Sequence, residues 1–202
     1  MEYMSFKRSL WREIPVILCR TGYTGELGYE LVIPVREGNR EVGLQLWSAL
    51  VDSLEKFGGL VAGLGARDTL RTEMGYPLHG QELSLSINPL EASASWAVGW
   101  KKTEFMGHSA LLELKSKGVA RKSYALKVSD RGIPRTGMKV SLEGREIGIV
   151  TSGTFSPTLK TGIALALLDS KIKVGDQVAI DVRGRESKAE VVKLPFVPSR
   201  VR

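Results

Sequence analysis

The sequence predicts an α+β protein whose carboxyl-terminal part is a small all-β barrel or jelly-roll. Helical spacing of apolar residues occurs only before about residue 118, and short alternating apolar runs between turn residues fill the rest of the chain. The 202 residues, of which 43% are hydrophobic and 25% charged, are enough for one large domain or two modest ones. We therefore expect two domains, 1–117 and 118–202, with the boundary where the helical pattern ends and the charge balance changes.

A glycine-rich stretch, residues 22–30, organises the first domain. It lies between two apolar runs, 14–18 and 29–33, and this order predicts a β-hairpin. Its three glycines permit positive φ or a close approach of the backbone, while Tyr23 and Glu30 add an aromatic ring and a carboxylate. Two interpretations stay open: a plain turn with exposed carboxylates, or a binding loop. A phosphate loop is excluded, because no Gly-x-Gly-x-x-Gly motif opens a helix here and no Lys-Ser or Lys-Thr follows.

Two helices are predicted next. The first runs from Asn39, a suitable N-cap, to about Phe57, with apolar residues at three- and four-residue spacing and Gly58 after it. Trp47 lies beside the apolar stripe, and we expect its side chain to be packed. The second helix is shorter and covers about residues 66–74.

The second predicted helix carries two arginines, Arg67 and Arg71, which are four residues apart and therefore lie on one face. Two guanidinium groups on one face can clamp a carboxylate. The alternative is that these arginines pair with nearby acids such as Asp68 and Glu73. Both interpretations stay open.

The remaining elements are predicted from the same patterns. Residues 96–100 alternate as a strand does, and residues 109–117 have the spacing of a short helix that Gly118 ends. Beyond them, turn signals such as Asp-Arg-Gly, Glu-Gly and Val-Gly-Asp separate short alternating runs. The six predicted strands are 124–128, 139–142, 146–151, 162–168, 177–182 and 189–192.

Cysteine, histidine and the first residues of the chain restrict the class of protein. Cys19 is the sole cysteine and ends an apolar run, so we expect a small buried side chain and no intrachain disulfide. A reducing, cytoplasmic compartment is the expectation, and a cysteine-poor secreted protein is the alternative that stays open. His79 and His108 are too few for a His/Cys metal cage or a Cys/His dyad, so we expect no metal. The amino terminus is too polar for a signal peptide, and no later run is long enough to span a membrane.

Positive charge is concentrated in the second half of the chain. Residues 115–202 carry 18 Lys+Arg against 8 Asp+Glu, a balance of +10, whereas residues 1–114 carry 11 against 14, a balance of −3. Such an asymmetry suggests an acidic partner. Few aromatic residues and no nucleic-acid motif accompany these charges, which favours an acidic protein, or a merely solvated basic surface, over nucleic acid.

Six short motifs along the chain form a recognisable series. They are residues 20–30 (RTGYTGELGYE), 63–71 (GLGARDTLR), 75–80 (GYPLHG), 88–91 (NPLE), 151–160 (TSGTFSPTLK) and 194–198 (LPFVP). In this order they closely resemble the aminomethyltransferase, or T-protein, family of the glycine cleavage system. Each motif is weak alone, whereas six in the family's order are specific. The resemblance extends from about Ile14 to the carboxyl end.

The resemblance implies a reaction. T-proteins transfer a methylene group to tetrahydrofolate from an aminomethyl group on the lipoyl arm of H-protein, and ammonia is released. Family members begin with a long amino-terminal segment that completes the folate-binding fold and carries the catalytic aspartate in an Asn-Asp motif, and these 202 residues contain none of it. The chain therefore resembles a partial folate-binding domain followed by a complete barrel domain. We expect no catalytic residue in it and no activity from it alone.

The resemblance also implies binding residues. Its folate contact is the second glutamate of the glycine-rich motif, Glu30, with Tyr23 beside it. A carboxylate can accept two adjacent N–H groups of a pterin as it would from a guanidinium group. The arginine of the family's Gly-Leu-x-Ala-Arg-Asp motif is Arg67, whose charge suits the carboxylate end of folate. A further family contact near the carboxyl terminus falls on Val201, between Arg200 and Arg202.

Two other functions share features with this sequence. Folate-dependent demethylases and the folate domains of sarcosine and dimethylglycine dehydrogenases have the same fold, but those dehydrogenases carry a flavin domain upstream. Non-catalytic folate-binding proteins, such as the iron–sulfur assembly factors, have a Lys-Gly-Cys motif. The sole cysteine here lies in Leu18-Cys19-Arg20, which argues against that group.

The charge asymmetry predicts that the basic second half docks an acidic partner, and the resemblance implies that this partner is H-protein. Arg121, Lys122, Arg131 and Arg135 cluster along the first strands of the predicted barrel. We expect the Arg131→Glu, Arg135→Glu double variant to associate with H-protein several-fold more slowly at low salt, because exposed charge of one sign mainly raises the association rate. The difference should shrink as salt screens charges over about 8–10 Å. Stopped-flow rates that are identical for variant and parent across a salt series would favour a merely solvated surface.

Overall fold

The computed structural model describes residues 1–34 and 40–202. The predicted N-cap, Asn39, lies outside the described residues. The described chain divides into two compact units, the first formed by residues 1–70 and 199–202 and the second by residues 71–198. The domain boundary expected at residue 118 stays a prediction.

The first unit contains a three-stranded antiparallel sheet in the order β1-β2-β3, with β1 at Phe6–Trp11, β2 at Ile14–Cys19 and β3 at Glu30–Val32. Strands β2 and β3 coincide with the two predicted apolar runs. Strand β1 was not predicted, because most of its side chains are exposed and its sequence lacks an apolar face. It forms by backbone pairing with β2 through a two-residue turn in which both Arg12 and Glu13 have positive φ, as in a type I′ hairpin turn.

Helix α1, Arg40–Lys56, extends as predicted. Its carboxyl end is a Schellman motif: Gly58 has a φ of 67°, and the Gly59 N–H donates to the Leu54 carbonyl at 2.8 Å. The prediction that Trp47 is packed is wrong, because its side chain is 53% exposed. Among the described residues of the first unit, the buried apolar side chains are Val16 and Leu46, so most of the apolar stripe of α1 is exposed or only partly buried.

Helix α2, Leu64–Glu73, confirms the second predicted helix. It also ends in a Schellman motif, in which Gly75 has a φ of 71° and the Tyr76 N–H donates to the Arg71 carbonyl at 2.9 Å. Helix α3, His108–Lys117, confirms the third, and Gly118 follows it with a φ of 79°.

The predicted strand at residues 96–100 is wrong. Residues Ser95–Ala97 form a single 3₁₀ turn, and Trp96 is 87% exposed. Local hydrogen bonds replace strand pairing here, since the Trp100 indole N–H donates to the Ser95 carbonyl at 2.8 Å and the Val98 N–H to the same carbonyl at 3.2 Å. Alternating apolar residues form a strand only where another strand's edge can pair with them.

Six antiparallel strands close into a barrel in the second unit, in the order β4-β7-β6-β5-β8-β9. All six predicted strands are confirmed, and β6 continues five residues beyond its predicted end. Closure pairs the strand edges with one another, and the core inside contains Leu126, Val140 and Ile180, each with no exposed surface. The strands are Arg121–Val128 (β4), Lys139–Leu142 (β5), Arg145–Ser156 (β6), Thr161–Asp169 (β7), Gln177–Val182 (β8) and Arg185–Val192 (β9).

A buried ion pair joins three segments of the second unit. Arg71 Nη1 lies 3.2 Å from Glu82 Oε2, and Arg71 Nη2 donates to the Ser152 hydroxyl at 2.9 Å. Glu82 Oε2 also accepts the Leu78 N–H at 2.9 Å. The acidic partner of Arg71 is therefore Glu82, from the loop after α2, and the guanidinium group has a structural role.

A second buried carboxylate, that of Glu73, is satisfied by neutral donors. It accepts hydrogen bonds from the Ser156 hydroxyl, the Thr158 hydroxyl and the Thr158 N–H. The Glu73 carbonyl accepts the Phe196 N–H at 2.9 Å. These bonds attach the end of α2 to the β6–β7 turn and to the chain that follows β9.

Within the two described ranges, no helix is long and apolar enough to cross a membrane.

The buried pair gives a stability prediction. The Arg71→Met variant should lose about 3–5 kcal/mol of the free energy of unfolding, because the Glu82 side chain, 1% exposed, would remain charged and unpaired. The Arg71→Met, Glu82→Met double variant should lose less. As a control, Lys117→Ala removes an exposed pair with Glu113 and should cost about 0.5 kcal/mol or less. Urea unfolding followed by circular dichroism measures all three, and a loss under about 1 kcal/mol for Arg71→Met would contradict the assigned role.

Candidate functional site

The three residues singled out by sequence, Tyr23, Glu30 and Arg67, line one cavity of the first unit, with a volume of about 480 Å³. They come from the loop between β2 and β3, from the first position of β3 and from α2. The volume lies in the range of about 300–1,000 Å³ that is usual for small-molecule sites. A ligand-sized cavity therefore combines a carboxylate, a guanidinium group and a phenol.

Glu30 presents an exposed carboxylate at the start of β3. Its backbone pairs with that of Cys19 on β2, and its Oε2 accepts a hydrogen bond from the Thr21 hydroxyl. Thr21 therefore orients the carboxylate from across the loop. Because Glu30 is exposed, acceptor positions of the carboxylate remain accessible to a ligand.

Arg67 stacks on the ring of Tyr23, with its guanidinium carbon 4.4 Å from the ring centroid. This is a cation–π distance. The contact holds a positive charge beside the glycine-rich loop. Of the two interpretations left open for Arg67 and Arg71, the structure does not have the joint clamp, because Arg67 lines the cavity while Arg71 forms the buried pair with Glu82.

The glycine-rich loop is shaped by one glycine in particular. Gly25 has a φ of 76° and is buried, and its carbonyl accepts the Arg200 N–H at 2.7 Å. A side chain at Gly25 would be strained in this conformation. The loop conformation therefore depends on Gly25 and on the carboxyl-terminal tail.

Arg20 is the residue of this region to which sequence reasoning assigned no role. Its side chain donates to the Gly28 carbonyl at 3.1 Å and to the Val201 carbonyl at 2.6 Å, and the residue is 4% exposed. The guanidinium carbon also lies 5.3 Å from the Tyr29 ring centroid and 5.9 Å from that of Tyr3. One buried cation therefore holds the loop, the tail and two aromatic rings. The sequence feature that could have indicated this role is that Arg20 is the first residue of the family motif 20–30.

The tail, residues 199–202, lies against the glycine-rich loop. The Val201 carbonyl accepts the bond from Arg20, and the Arg200 N–H donates to Gly25. Val201, where the resemblance places a ligand contact, does not line the cavity that contains Glu30. Its observed contact is through the backbone.

The sole cysteine, Cys19, is only partly buried, although a buried side chain was expected. Across the described residues, no cluster of three or more His, Cys, Asp or Glu side chains could hold a metal ion.

Comparison with known proteins identifies the class that this fold and cavity define. Residues 1–102 match the family described as the GCVT N-terminal domain, and residues 121–198 match the glycine cleavage T-protein C-terminal barrel domain. The chain therefore belongs to the glycine cleavage T-protein family.

Similar proteins are much longer than this chain. The aminomethyltransferase of Parafrankia sp. (strain EAN1pec) is 55% identical over 201 residues, which cover 99% of this chain and 54% of the relative. The aminomethyltransferase of Mycobacterium tuberculosis is 49% identical over 204 residues, which cover 100% of this chain and 54% of the relative. The crystal structure of the glycine cleavage system aminomethyltransferase T from Bartonella henselae matches with a TM-score of 0.81 and 34% identity, covering 92% of this chain and 50% of that one. The chain spans about half the length of the curated relatives it matches.

The position of Arg20 predicts how the loop and tail are held. In Arg20→Ala, both donated bonds are lost, so the Arg200 amide should exchange with solvent at least about tenfold faster, as expected when a bond to a charged group worth about 1.5–3 kcal/mol disappears. Hydrogen exchange followed by NMR measures this rate. Arg12→Ala is the control, since Arg12 is exposed and contacts only the Trp11 ring among the interactions described for it. Equal protection of Arg200 in the parent and in Arg20→Ala would contradict the role.

Proposed function

We propose that this chain is the carboxyl-terminal portion of an aminomethyltransferase that transfers the methylene group of aminomethyl-lipoyl H-protein to tetrahydrofolate and releases ammonia. The observation that carries the proposal is that Tyr23, Glu30 and Arg67 line one ligand-sized cavity. The chain's identity of about half its residues with proteins named aminomethyltransferase supports it further. Those relatives give no reason to prefer a demethylase or a non-catalytic folate-binding protein.

Glu30 recognises the pterin end of tetrahydrofolate in this proposal. The pterin offers adjacent N–H donors, and a carboxylate whose two oxygens accept them forms a bidentate pair. Thr21 supports this role, because its hydroxyl bond to Glu30 Oε2 restricts the rotation of the carboxylate. Preorientation of this kind lowers the entropy cost of binding.

Arg67 and Tyr23 hold the other end of the ligand. The guanidinium group is exposed, and its planar fork suits the carboxylate of the folate tail. Stacking on Tyr23 keeps the charge near the cavity without neutralising it. A carboxylate and a guanidinium group in the lining of one cavity would together orient a ligand that has donors at one end and an acid at the other.

We further propose that these 202 residues do not catalyse the transfer alone. Cavity residues that bind and orient a substrate do not supply the proton transfer and charge stabilisation that the reaction requires. The relatives are nearly twice as long, and the first unit exposes large apolar side chains such as Leu44, Trp47 and Phe57. Both observations support a role for the rest of the family's length in completing the first unit.

The partner in this proposal is lipoylated H-protein, and the compartment is the cytoplasm. The balance of +10 in residues 115–202 supports docking of an acidic protein on the second unit. Of the predicted basic cluster, Arg121 is already neutralised in part, because its Nε lies 2.8 Å from Glu91 Oε1. A single cysteine supports a reducing compartment.

Folate affinity tests the role of Glu30. In a fusion of this chain to the amino-terminal portion of its Parafrankia relative, Glu30→Gln should weaken tetrahydrofolate binding by about 1.5–3 kcal/mol, because the amide presents donors to the donors of the pterin. Isothermal titration calorimetry measures the loss. Glu26→Gln is the matched control, since Glu26 belongs to the same loop and does not line the cavity. An unchanged dissociation constant for Glu30→Gln would return Glu30 to an ordinary hairpin residue.

Turnover tests the need for the rest of the family's length. We expect the 202-residue chain to release no ammonia above background from aminomethylated H-protein and tetrahydrofolate, since its cavity residues bind and orient without a catalytic acid. Addition of the relative's amino-terminal portion, in trans or by fusion, should restore release. Steady turnover by the chain alone would contradict the proposal.

A further inference from the structure

A second cavity opens at one end of the barrel, within the second unit, and has a volume of about 540 Å³. Its walls come from the connection between β4 and β5, the turn between β6 and β7 and the turn between β8 and β9. The mouth of a β-barrel is a common position for small-molecule sites, and this volume is within their usual range. The proposed folate site, which is lined by Tyr23, Glu30 and Arg67, contains none of these residues.

Apolar side chains form part of the cavity wall. Ile133 and Phe155 line it, and each is 42% exposed. Met138 and Val182 line it as well and are only partly buried. The cavity therefore offers an apolar surface, including an aromatic face, that solvent can reach.

The lining of this cavity also includes four cationic side chains. Arg131, Arg135, Lys160 and Arg183 line the cavity and are exposed, and none of the four forms an ion pair within 4 Å in the described part of the chain. Arg135 donates to the Gly153 carbonyl at 2.9 Å, which positions its guanidinium group.

The cavity also has one acid, Asp130. Its carboxylate accepts the Ser187 hydroxyl and, at 3.0 Å, the Lys188 N–H. These two hydrogen bonds, that from Ser187 above all, hold the pKa of the Asp130 carboxyl below its ordinary value. Asp130 is therefore ionised at neutral pH, and its carboxylate is already hydrogen-bonded to Ser187 and Lys188 of β9. With four cations and one acid, the charged residues of the cavity lining have a net charge of +3.

Close packing preforms the wall of this cavity. A Cβ at Gly162 would collide with the Gly132 carbonyl oxygen, and a Cβ at Gly132 would collide with the Ser187 hydroxyl. The β4–β5 connection is therefore held directly against the start of β7 and against β9. A preformed site loses less entropy when a ligand binds.

We propose that this cavity binds a small organic anion, that is, a carboxylate or phosphate attached to an apolar, preferably aromatic, body. The apolar part of the ligand would lie against Ile133 and Phe155. Its anionic group would bind the guanidinium groups of the arginines and the ammonium group of Lys160. A guanidinium group can donate two parallel hydrogen bonds to two oxygens of a carboxylate or of a phosphate, so the same side chains can bind either anion.

A small molecule fits this cavity better than an acidic protein segment does. The positive charge and the apolar surface are combined within one concave site of about 540 Å³. A stable protein partner would need about 800 Å² of surface on each side, most of which would lie outside this cavity. Long-range attraction of an acidic protein by the same charges needs no occupation of the cavity.

NMR titration of the ¹⁵N-labelled 202-residue chain tests the proposal with 2-naphthoate and 2-naphthyl phosphate as probes. We expect saturable shifts of amides in 130–138, 155–162 and 182–184, with a dissociation constant of about 1 mM or tighter. The uncharged analogue 2-naphthamide should bind at least about tenfold more weakly, because it lacks the charge that the cations meet. The stronger of the two anions identifies the preferred head group, and either result supports the site.

Two variants separate the parts of the site. Lys160→Gln should raise the dissociation constants of both anions about threefold or more. Phe155→Ala should raise the dissociation constants of both anions and of the amide. Lys171→Gln is the matched control, since Lys171 is exposed on the second unit and does not line the cavity. Absence of saturable shifts at several mM, shifts centred elsewhere, equal affinity for the amide, or an unaffected Lys160→Gln variant would overturn the proposal. None of these readouts involves tetrahydrofolate, so the result is independent of the proposed transferase function.

Discussion

The candidate site of the first unit depends on one buried guanidinium group. Arg20 donates to carbonyls of the glycine-rich loop and of the carboxyl-terminal tail, and its guanidinium carbon lies 5.9 Å and 5.3 Å from the ring centroids of Tyr3 and Tyr29, respectively. A buried cation is costly unless its donors are satisfied, so this arrangement restricts the loop to conformations that keep both carbonyls in place. The loop in turn sets the positions of Tyr23 and Thr21, and Thr21 orients Glu30. Segments that are separated by some 180 residues in sequence therefore share one constraint.

The second unit is held by a different kind of constraint. Closure of the barrel leaves each strand with a neighbour on both sides, and its interior is a continuous apolar core. Because the strands satisfy the backbone, the connections at the barrel end are free to carry polar and charged side chains without weakening the core. Arg131, Lys160 and Arg183 are all found in such connections, beside the apolar faces of Ile133 and Phe155. Charged and apolar side chains therefore occur together at the end of the barrel, which makes that end a candidate binding site, while the strands serve as its scaffold.

Arg67 and Arg71 show how far a local pattern extends. Both lie on α2 and are four residues apart, which suggested a shared role. Arg71 instead pairs with Glu82 and Ser152, the second of them 81 residues away, while Arg67 stacks on Tyr23. Helical spacing determines which face a side chain occupies, but the group that meets that face comes from another part of the fold. Identical side chains on one short helix thus have separate roles, one in stability and one at the cavity.

The sequence by itself determined the elements whose signals are local: three helices, with glycines after α1, α2 and α3, and the six strands of the barrel. It also supplied Tyr23, Glu30 and Arg67 through a family resemblance carried by short motifs. Only the tertiary structure decided that these three residues line one cavity, that Arg20 holds their loop, that β1 forms and that Trp47 and Trp96 are exposed. The physical reason is that apolar spacing and turn residues act within a few positions of the chain. Burial, strand pairing and hydrogen-bond partners depend on segments that only folding brings together.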